Sequence, residues 1–350
     1  MKRITVNASK TYDVIIEKGA LDKIGEYLKG SGISGKACII SDSNVAPLYL
    51  DRVKSSLEKS GLLVCQYIFP AGEASKTAET YIDILNFLAE NHFSRKDTLF
   101  ALGGGVCGDL TGFSAATYMR GIKFVQIPTS LLAAVDSSVG GKTGIDLKSG
   151  KNLAGAFYQP EMVVFDTDVL STLPEEYFSD GMAEIIKYAM IRGEGIDSLL
   201  LEDGDLKLEE IITRCVEIKR DVVGEDEFEN GVRKILNFGH TAGHAIETEA
   251  DYTLSHGRCV AVGMHIVTKA WEKRNLCKKG TYDILKKMLD KFSLKTGCPY
   301  SPEVLCERAK SDKKADTGGL SLVVPTQVGK CEVIKVTMDE FLSVLEEGME

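Results

Sequence analysis

Along the first 160 residues, short β-branched and aromatic runs alternate with longer stretches whose apolar positions recur every three or four residues. The pattern predicts an opening pair of strands near 4–6 and 12–17, then a helix over 21–28. A strand at 37–41, a helix over 45–59, a strand at 62–69 and a helix over 78–91 follow. A strand at 98–102, a glycine-rich turn and a strand at 124–128 complete this part. Short strands separated by amphipathic helices are the mark of βαβ units and a parallel sheet. From about Pro174 the helical period dominates, over 175–191, 208–223, 232–247, 258–274, 282–292 and 338–347. Only 319–336 reads as a hairpin, with two β-rich runs around the sequence PTQVGK. The expected fold is an N-terminal α/β domain with a parallel sheet, residues 1–170, and a mostly α-helical C-terminal domain, residues 171–350. The change falls near 160–175 without a flexible linker, and a ligand is expected in a cleft between the two.

Composition narrows the function. The chain has 350 residues, 44% hydrophobic and 27% charged, which excludes disorder and coiled coil and suffices for two cores. Lys+Arg number 42 against 51 Asp+Glu, a net charge of −9. Nucleic-acid binding depends on neutralising phosphates, so this balance argues against it while leaving room for a local basic pocket. No apolar run approaches the roughly 18 residues that span a bilayer, so no membrane association is expected. The opening MKRITVNASKTYDVIIEKG has no apolar core or cleavage site of a signal peptide. Nine cysteines, an odd number without a CxxC pair, suit reduced structural thiols and a cytoplasmic location.

Two glycine clusters bear on ligand chemistry. Leu102-Gly-Gly-Gly-Val-Cys-Gly-Asp109 contains GxGxxG at Gly103, Gly105 and Gly108, after a strand and opening a helix. Such a turn lets backbone approach a pyrophosphate and aims amides at it, which points to a dinucleotide. A purely structural turn is the competing reading. The turn follows a late strand and has no acid about 20 residues on to take a ribose. Glu73, in Pro70-Ala-Gly-Glu-Ala-Ser-Lys76, is a candidate acid instead. Gly140-Gly-Lys-Thr143 resembles the end of a P-loop, but the required earlier glycine is Asp136, which excludes that nucleotide site. Lys142 still stands among glycines, where an anion could reach it.

The segment Arg233-Lys-Ile-Leu-Asn237-Phe-Gly-His240-Thr-Ala-Gly-His244-Ala-Ile-Glu247 carries the densest chemistry. Steps of four, three and four place Arg233, Asn237, His240 and His244 on one face of a helix. Apolar residues cover most of its remaining girth, so the helix is expected to be buried and its polar stripe to need partners or a ligand. His240 and His244 suggest a divalent metal, with Glu184 and His256 as further candidate ligands. Without the glutamate of HExxH this is not a protease site. Glu184 and Lys187, one turn apart, could instead form a mere ion pair. Spacing alone does not rank these ligands.

Taken together, PAGEASKT, GGGVCGDLTGFSAATYMRGI, QIPTSLLAAVDSSVGGKTGIDLKSGKNLAGAFYQP, GMAEIIKYAMI, LNFGHTAGHAIE, LSHGRCVAVGM and SDKK resemble the 3-dehydroquinate synthase family of sugar-phosphate cyclases. They run in order from residue 70 to 314. The resemblance implies NAD and one divalent metal, zinc or cobalt, with Glu184, His240 and His256 as ligands and His244 left for the reaction. It implies NAD contacts at Asp42, Asn44, Glu73, Lys76, Gly104, Gly105, Val106, Asp109, Thr129, Ser130, Lys142, Lys151 and Thr172. Substrate-pocket positions carried over are Arg120, Asp136, Lys142, Asn152, Lys187, Lys219, Arg233, Asn237, His244 and Lys313, with Lys314 beside it as the alternative. Val169 stands where the family would lead one to expect Phe, and Ile145-Asp146 replaces a more usual Asn. The implied reaction turns 3-deoxy-D-arabino-heptulosonate 7-phosphate into 3-dehydroquinate and phosphate, in the shikimate pathway. It proceeds by oxidation, phosphate β-elimination, reduction, ring opening and aldol closure. The resemblance also implies a homodimer. Competing functions are 2-deoxy-scyllo-inosose or valiolone-type synthesis, a metal-dependent polyol dehydrogenase, and a non-catalytic NAD-binding module.

Overall fold

The computed structural model describes residues 1–312 and 319–350. It divides into two compact units, 1–174 with 219–228, and 175–218 with 229–350.

In the first unit, β1 (Lys2–Asn7) and β2 (Thr11–Ile16) pair antiparallel. A 3-10 turn (Ala20–Lys23) running into the short α1 (Ile24–Tyr27) replaces the single helix expected there. The chain continues through β3 (Lys36–Asp42), α2 (Ala46–Lys59), β4 (Leu63–Phe69), α3 (Ala78–Glu90), β5 (Thr98–Gly103), α4 (Gly105–Thr117) and β6 (Lys123–Pro128). After it come a two-stranded hairpin, β7 (Lys142–Leu147) with β8 (Gly150–Phe157), and the four-residue β9 (Met162–Phe165). The seven-stranded sheet has the order β1-β2-β9-β6-β5-β3-β4, and all its pairings but β1–β2 are parallel. Every residue of β5 is buried, as befits a central parallel strand covered on both faces. Its core packs Cys38, Ile40, Leu99 and Ala101 against Leu88 and Leu110 of the flanking helices.

The order of pairing creates the functional feature of this sheet. From β3 the chain steps outward to β4, then crosses back to lay β5 on the other side of β3. The crevice beyond the carboxyl ends of β3 and β5 is therefore a topological switch point, where ligands bind in such sheets.

The second unit is helical: α5 (Glu175–Ile191), α6 (Ile196–Leu201), α7 (Leu208–Glu225), α8 (His240–Glu249), α9 (His256–Lys273), α10 (Thr281–Lys291), α11 (Pro302–Asp312) and α12 (Met338–Met349). The end of α7 from Lys219 belongs to the first unit. A hairpin, β10 (Leu320–Gln327) with β11 (Lys330–Val336), joins these helices, and the capping box of Thr337 and Glu340 starts α12. No helix among the described residues is long and apolar enough to cross a membrane. All nine cysteines are free thiols.

The continuous helix expected over 232–247 is not formed. Residues Val232–Asn237 make a 3-10 turn, and α8 begins only at His240. Gly239 breaks the path with φ +80°, a conformation that side chains with a Cβ rarely adopt. Arg233 and Asn237 thus do not share a helix face with His240 and His244. The break has a packing cause: a Cβ on Gly263 of α9 would lie 2.0 Å from the carbonyl oxygen of Gly239. The two backbones touch there, which brings the start of α8 against α9.

Candidate active site

The metal-binding candidates come from three helices of the second unit. Glu184 lies mid-way along α5 and is fully buried; His240 and His256 are the first residues of α8 and α9. The Nε2 atoms of His240 and His256 stand 3.6 and 3.5 Å from Glu184 Oε1. One donor atom from each residue lies within 4.8 Å of the other two. Two imidazoles and a carboxylate oxygen are a donor set that suits zinc or cobalt, so these residues fit a divalent ion. Each histidine keeps its other nitrogen on an oxygen, His240 Nδ1 3.1 Å from the Phe238 carbonyl and His256 Nδ1 3.4 Å from Glu247 Oε2. Asp180 accepts from the Arg258 amide at 3.2 Å, tying α5 to the first turn of α9.

Electrostatics separate the two imidazoles. Burial outweighs the field of Glu184 at His240 and holds its pKa down to about 3. Burial also opposes charge on His256, but hydrogen bonds to Glu184 and Glu247, with their fields, raise it to about 10. Lys187, buried on the same helix as Glu184, forms an ion pair with it. His244, half-buried, has its ring centroid 5.3 Å from that of His240 and 5.9 Å from that of His256. His244, Glu247 and His256 form a second possible donor group, so HxxxH spacing alone could not have separated the ligands. Arg233 is buried in the 3-10 turn, and the Asn237 amide donates to Glu229 at 2.7 Å.

The dinucleotide candidates gather in the first unit. Gly104 caps α4, and a Cβ on Gly103 would meet Cys107 Cβ at 2.5 Å and Asp42 Oδ2 at 3.4 Å. Only backbone fits there, so the turn can bring the start of α4, with Gly105 and Val106, close to an anion. Asp42 ends β3, receives the Asn44 amide at 2.8 Å and faces this glycine turn. Thr129 and Ser130 follow β6, and the Thr129 amide bonds the Gly103 carbonyl at 3.0 Å. Expecting an acid after the turn points away from Asp42, which precedes it in the chain. Glu73 sits instead beside Lys151, 3.4 Å from its Nζ.

A polar network centred on the buried Lys76 adjoins these residues in sequence. Lys76 Nζ bonds Asp109 Oδ2 at 2.6 Å and Asn152 Oδ1 at 2.5 Å. Burial raises the pKa of Asp109 despite Lys76, and carboxylates, Asp109 first, raise that of Lys76 against its own burial. Asn152 and Arg120 both adopt left-handed backbone, with φ 55° and 67°, a strain that tends to gather at functional positions. Lys142 opens β7 with its side chain exposed. Asp136 lies in a π-helical turn, Ala133–Ser137, and accepts Lys219 Nζ through both its carbonyl and Oδ1 at 2.6 Å. Thr172 bonds Tyr49 and the Val169 carbonyl, and Val169 itself is buried. Lys313 and Lys314 lie outside the described residues.

Comparison with known proteins decides the family. A model described as 3-dehydroquinate synthase N-terminal matches residues 66–180, and one described as 3-dehydroquinate synthase C-terminal matches 181–315. The chain belongs to the 3-dehydroquinate synthase family. It is 42% identical to the 3-dehydroquinate synthase of Clostridium kluyveri, over 99% of this chain and 98% of that one. It is 46% identical to that of Lactococcus lactis subsp. cremoris, over 95% and 96%. Among solved structures it resembles a 2-deoxy-scyllo-inosose synthase complexed with carbaglucose-6-phosphate, NAD+ and Co2+. That match has a TM-score of 0.88 and 26% identity, covering 99% of this chain and all of the other. Family membership makes this chain a phosphate-eliminating cyclase of the 3-dehydroquinate synthase type.

Proposed function

We propose that this chain converts 3-deoxy-D-arabino-heptulosonate 7-phosphate into 3-dehydroquinate and phosphate, with NAD and one zinc or cobalt ion as cofactors. The observation that carries the reading is the convergence of His240 Nε2 and His256 Nε2 on Glu184 in a member of this family. When bound, the metal supplies Lewis-acid polarisation of a substrate hydroxyl, and the nicotinamide a reversible hydride acceptor.

Glu184, His240 and His256 hold the metal, and His244 moves protons. Lys142, Lys187, Lys219, Arg233 and Arg120 neutralise the phosphate and carboxylate of a doubly anionic substrate. Asp136, Asn152, Asn237 and Lys313 orient it, Asp136 also by holding the Lys219 ammonium. Asp42 and Asn44 take the adenosine end of the dinucleotide. Gly104, Gly105, Val106, Thr129 and Ser130 receive its phosphates, and Glu73, Lys76, Asp109, Lys142, Lys151 and Thr172 line the rest. A homodimer in the cytoplasm belongs to the same reading and is supported by the resemblance and the free thiols.

Phosphate release from the heptulosonate phosphate with sub-stoichiometric NAD+ tests the proposal. Many turnovers without accumulation of reduced nicotinamide, abolished by a chelator and restored by zinc or cobalt, are expected. Stoichiometric NADH would identify a polyol dehydrogenase. Equal turnover of a sugar phosphate lacking the carboxylate would identify another cyclase.

A further inference from the structure

The histidines of the metal group are oriented in the same way but by different means. Each directs Nε2 toward Glu184 and commits Nδ1 to an oxygen acceptor. For His240 that acceptor is the backbone carbonyl of Phe238, two residues earlier, which no substitution removes. For His256 it is the side chain of Glu247, on a different helix and 5% exposed. Glu247 lies two helical turns beyond His240 on α8, so one helix delivers a ligand at its first residue and the support of the second ligand from its interior.

We propose that Glu247 is the positioning residue of the metal centre, fixing the His256 ring through Nδ1 so that Nε2 is the ligand. This rests on the assignment of Glu184, His240 and His256 as the metal set. Opposite nitrogens of one imidazole point to opposite sides of the ring. With Nε2 directed at the metal, the Glu247 carboxylate at Nδ1 lies outside the coordination shell. There it fixes the tautomer and makes the ring a better donor, as outer-shell carboxylates do for ligating histidines. The competing arrangement, with Glu247 itself a ligand beside His244 and His256, would bind the ion through His256 Nδ1, the nitrogen that faces Glu247, and gives up Glu184.

Zinc affinity of the full-length protein, measured by competition with a chromogenic chelator, tests this without reference to turnover. Glu247→Ala is expected to weaken zinc binding roughly 10- to 100-fold. Glu247→Gln, which keeps an oxygen within reach of Nδ1 but not the charge, is expected between wild type and Glu247→Ala. The absorption spectrum of the cobalt-loaded protein is expected to change in both variants, while the metal-free proteins melt near wild type. Wild-type zinc affinity in both variants would overturn the proposal. So would a loss in Glu247→Ala as complete as in Glu184→Ala, since that would make Glu247 a ligand. If Glu247→Ala does not fold, Glu247→Gln decides alone: unchanged affinity and an unchanged cobalt spectrum overturn the proposal. His240→Ala is the control for the underlying assignment. Should it retain zinc, the ligand set is wrong whatever the Glu247 variants do.

Discussion

Replacing Gly263 by Ala should damage the proposed metal centre although Gly263 is not among its proposed ligands. Its added Cβ would lie 2.0 Å from the Gly239 carbonyl oxygen and 3.0 Å from the Gly243 amide nitrogen. Carbon and carbonyl oxygen settle at about 3.3–3.6 Å, so α8 and α9 must separate there by roughly 1.3 Å or more. Neither atom can move aside as a flexible side chain would, because one belongs to a backbone carbonyl and the other to a helix interior. The displaced carbonyl immediately precedes His240, whose Nε2 now lies 3.6 Å from Glu184 Oε1. Metal–ligand distances tolerate only about 0.2 Å of error. A shift several times larger should cost at least about 100-fold in zinc affinity, the upper end of what loss of an outer-shell partner costs. The overpacking itself should cost about 1–3 kcal/mol. Chelator competition measures the first effect and thermal unfolding of the metal-free protein the second. Gly243→Ala gives the graded comparison: its Cβ would stand 3.0 Å from the Cys259 carbonyl, a clash that small shifts relieve. The reasoning fails if Gly263→Ala binds zinc like wild type, or if Gly243→Ala weakens zinc more.

Two further substitutions probe the first unit. Asp109→Ala leaves the Lys76 ammonium, 6% exposed, without its carboxylate, and should destabilise the protein by about 3 kcal/mol. Adding Lys76→Met should raise the melting temperature again, whereas a further drop would show that the pair is not the cause. Asp97→Ala removes an acceptor of the Lys36 and Ser94 amides, at 2.7 and 2.6 Å, and of the Ser94 hydroxyl. Its expected cost is about 3 kcal/mol. Burial pushes the Asp97 pKa up, but those hydrogen bonds and Lys36 outweigh it and lower the value. Its contribution is therefore fully present above the unfolded value of about 3.9 and lost as the pH falls through the folded value. The gap in stability between wild type and Asp97→Ala should be constant above about pH 5 and narrow in more acid solution. A gap unchanged down to acid unfolding would refute this.

Much of the fold is written in local pattern, and the departures have physical causes. The strands of the parallel sheet are near-continuous apolar runs, and β5 is buried throughout, so composition announces them. The β7–β8 hairpin escapes because its strands carry Lys142, Gly144, Lys151, Asn152 and Gly155 in place of an alternating apolar face. β9 has only four residues, too few for a period to emerge. The helices α6 and α11 give no clear period either, the first being six residues long and the second having a weakly one-sided apolar pattern. Asp42 faces the glycine turn from an earlier strand, a proximity made by the crossover and not by spacing. The 232–247 stretch shows the converse error. Its spacing fits one helix, but Gly239 takes left-handed backbone so that α8 can lie against α9, and this tertiary contact overrides the local period.

That break is also an electrostatic decision. Starting α8 at His240 and α9 at His256 places both imidazoles at helix N-termini, where the partial positive charge of unpaired amides opposes a cation. A divalent ion is stable there only if negative groups outweigh both the helix ends and the buried Lys187 ammonium. Glu184 lies among the donors, Glu247 behind His256, and Asp180 against the first turn of α9. These three carboxylates oppose the Lys187 ammonium and the helix ends, and so favour a divalent cation at the imidazoles. Had the helix run unbroken from 232, His240 would stand in its second or third turn, with its amide inside the hydrogen-bond ladder and its ring carried away from α9. The glycine that defeats the simple reading of the sequence thus makes possible the meeting of His240, His256 and Glu184.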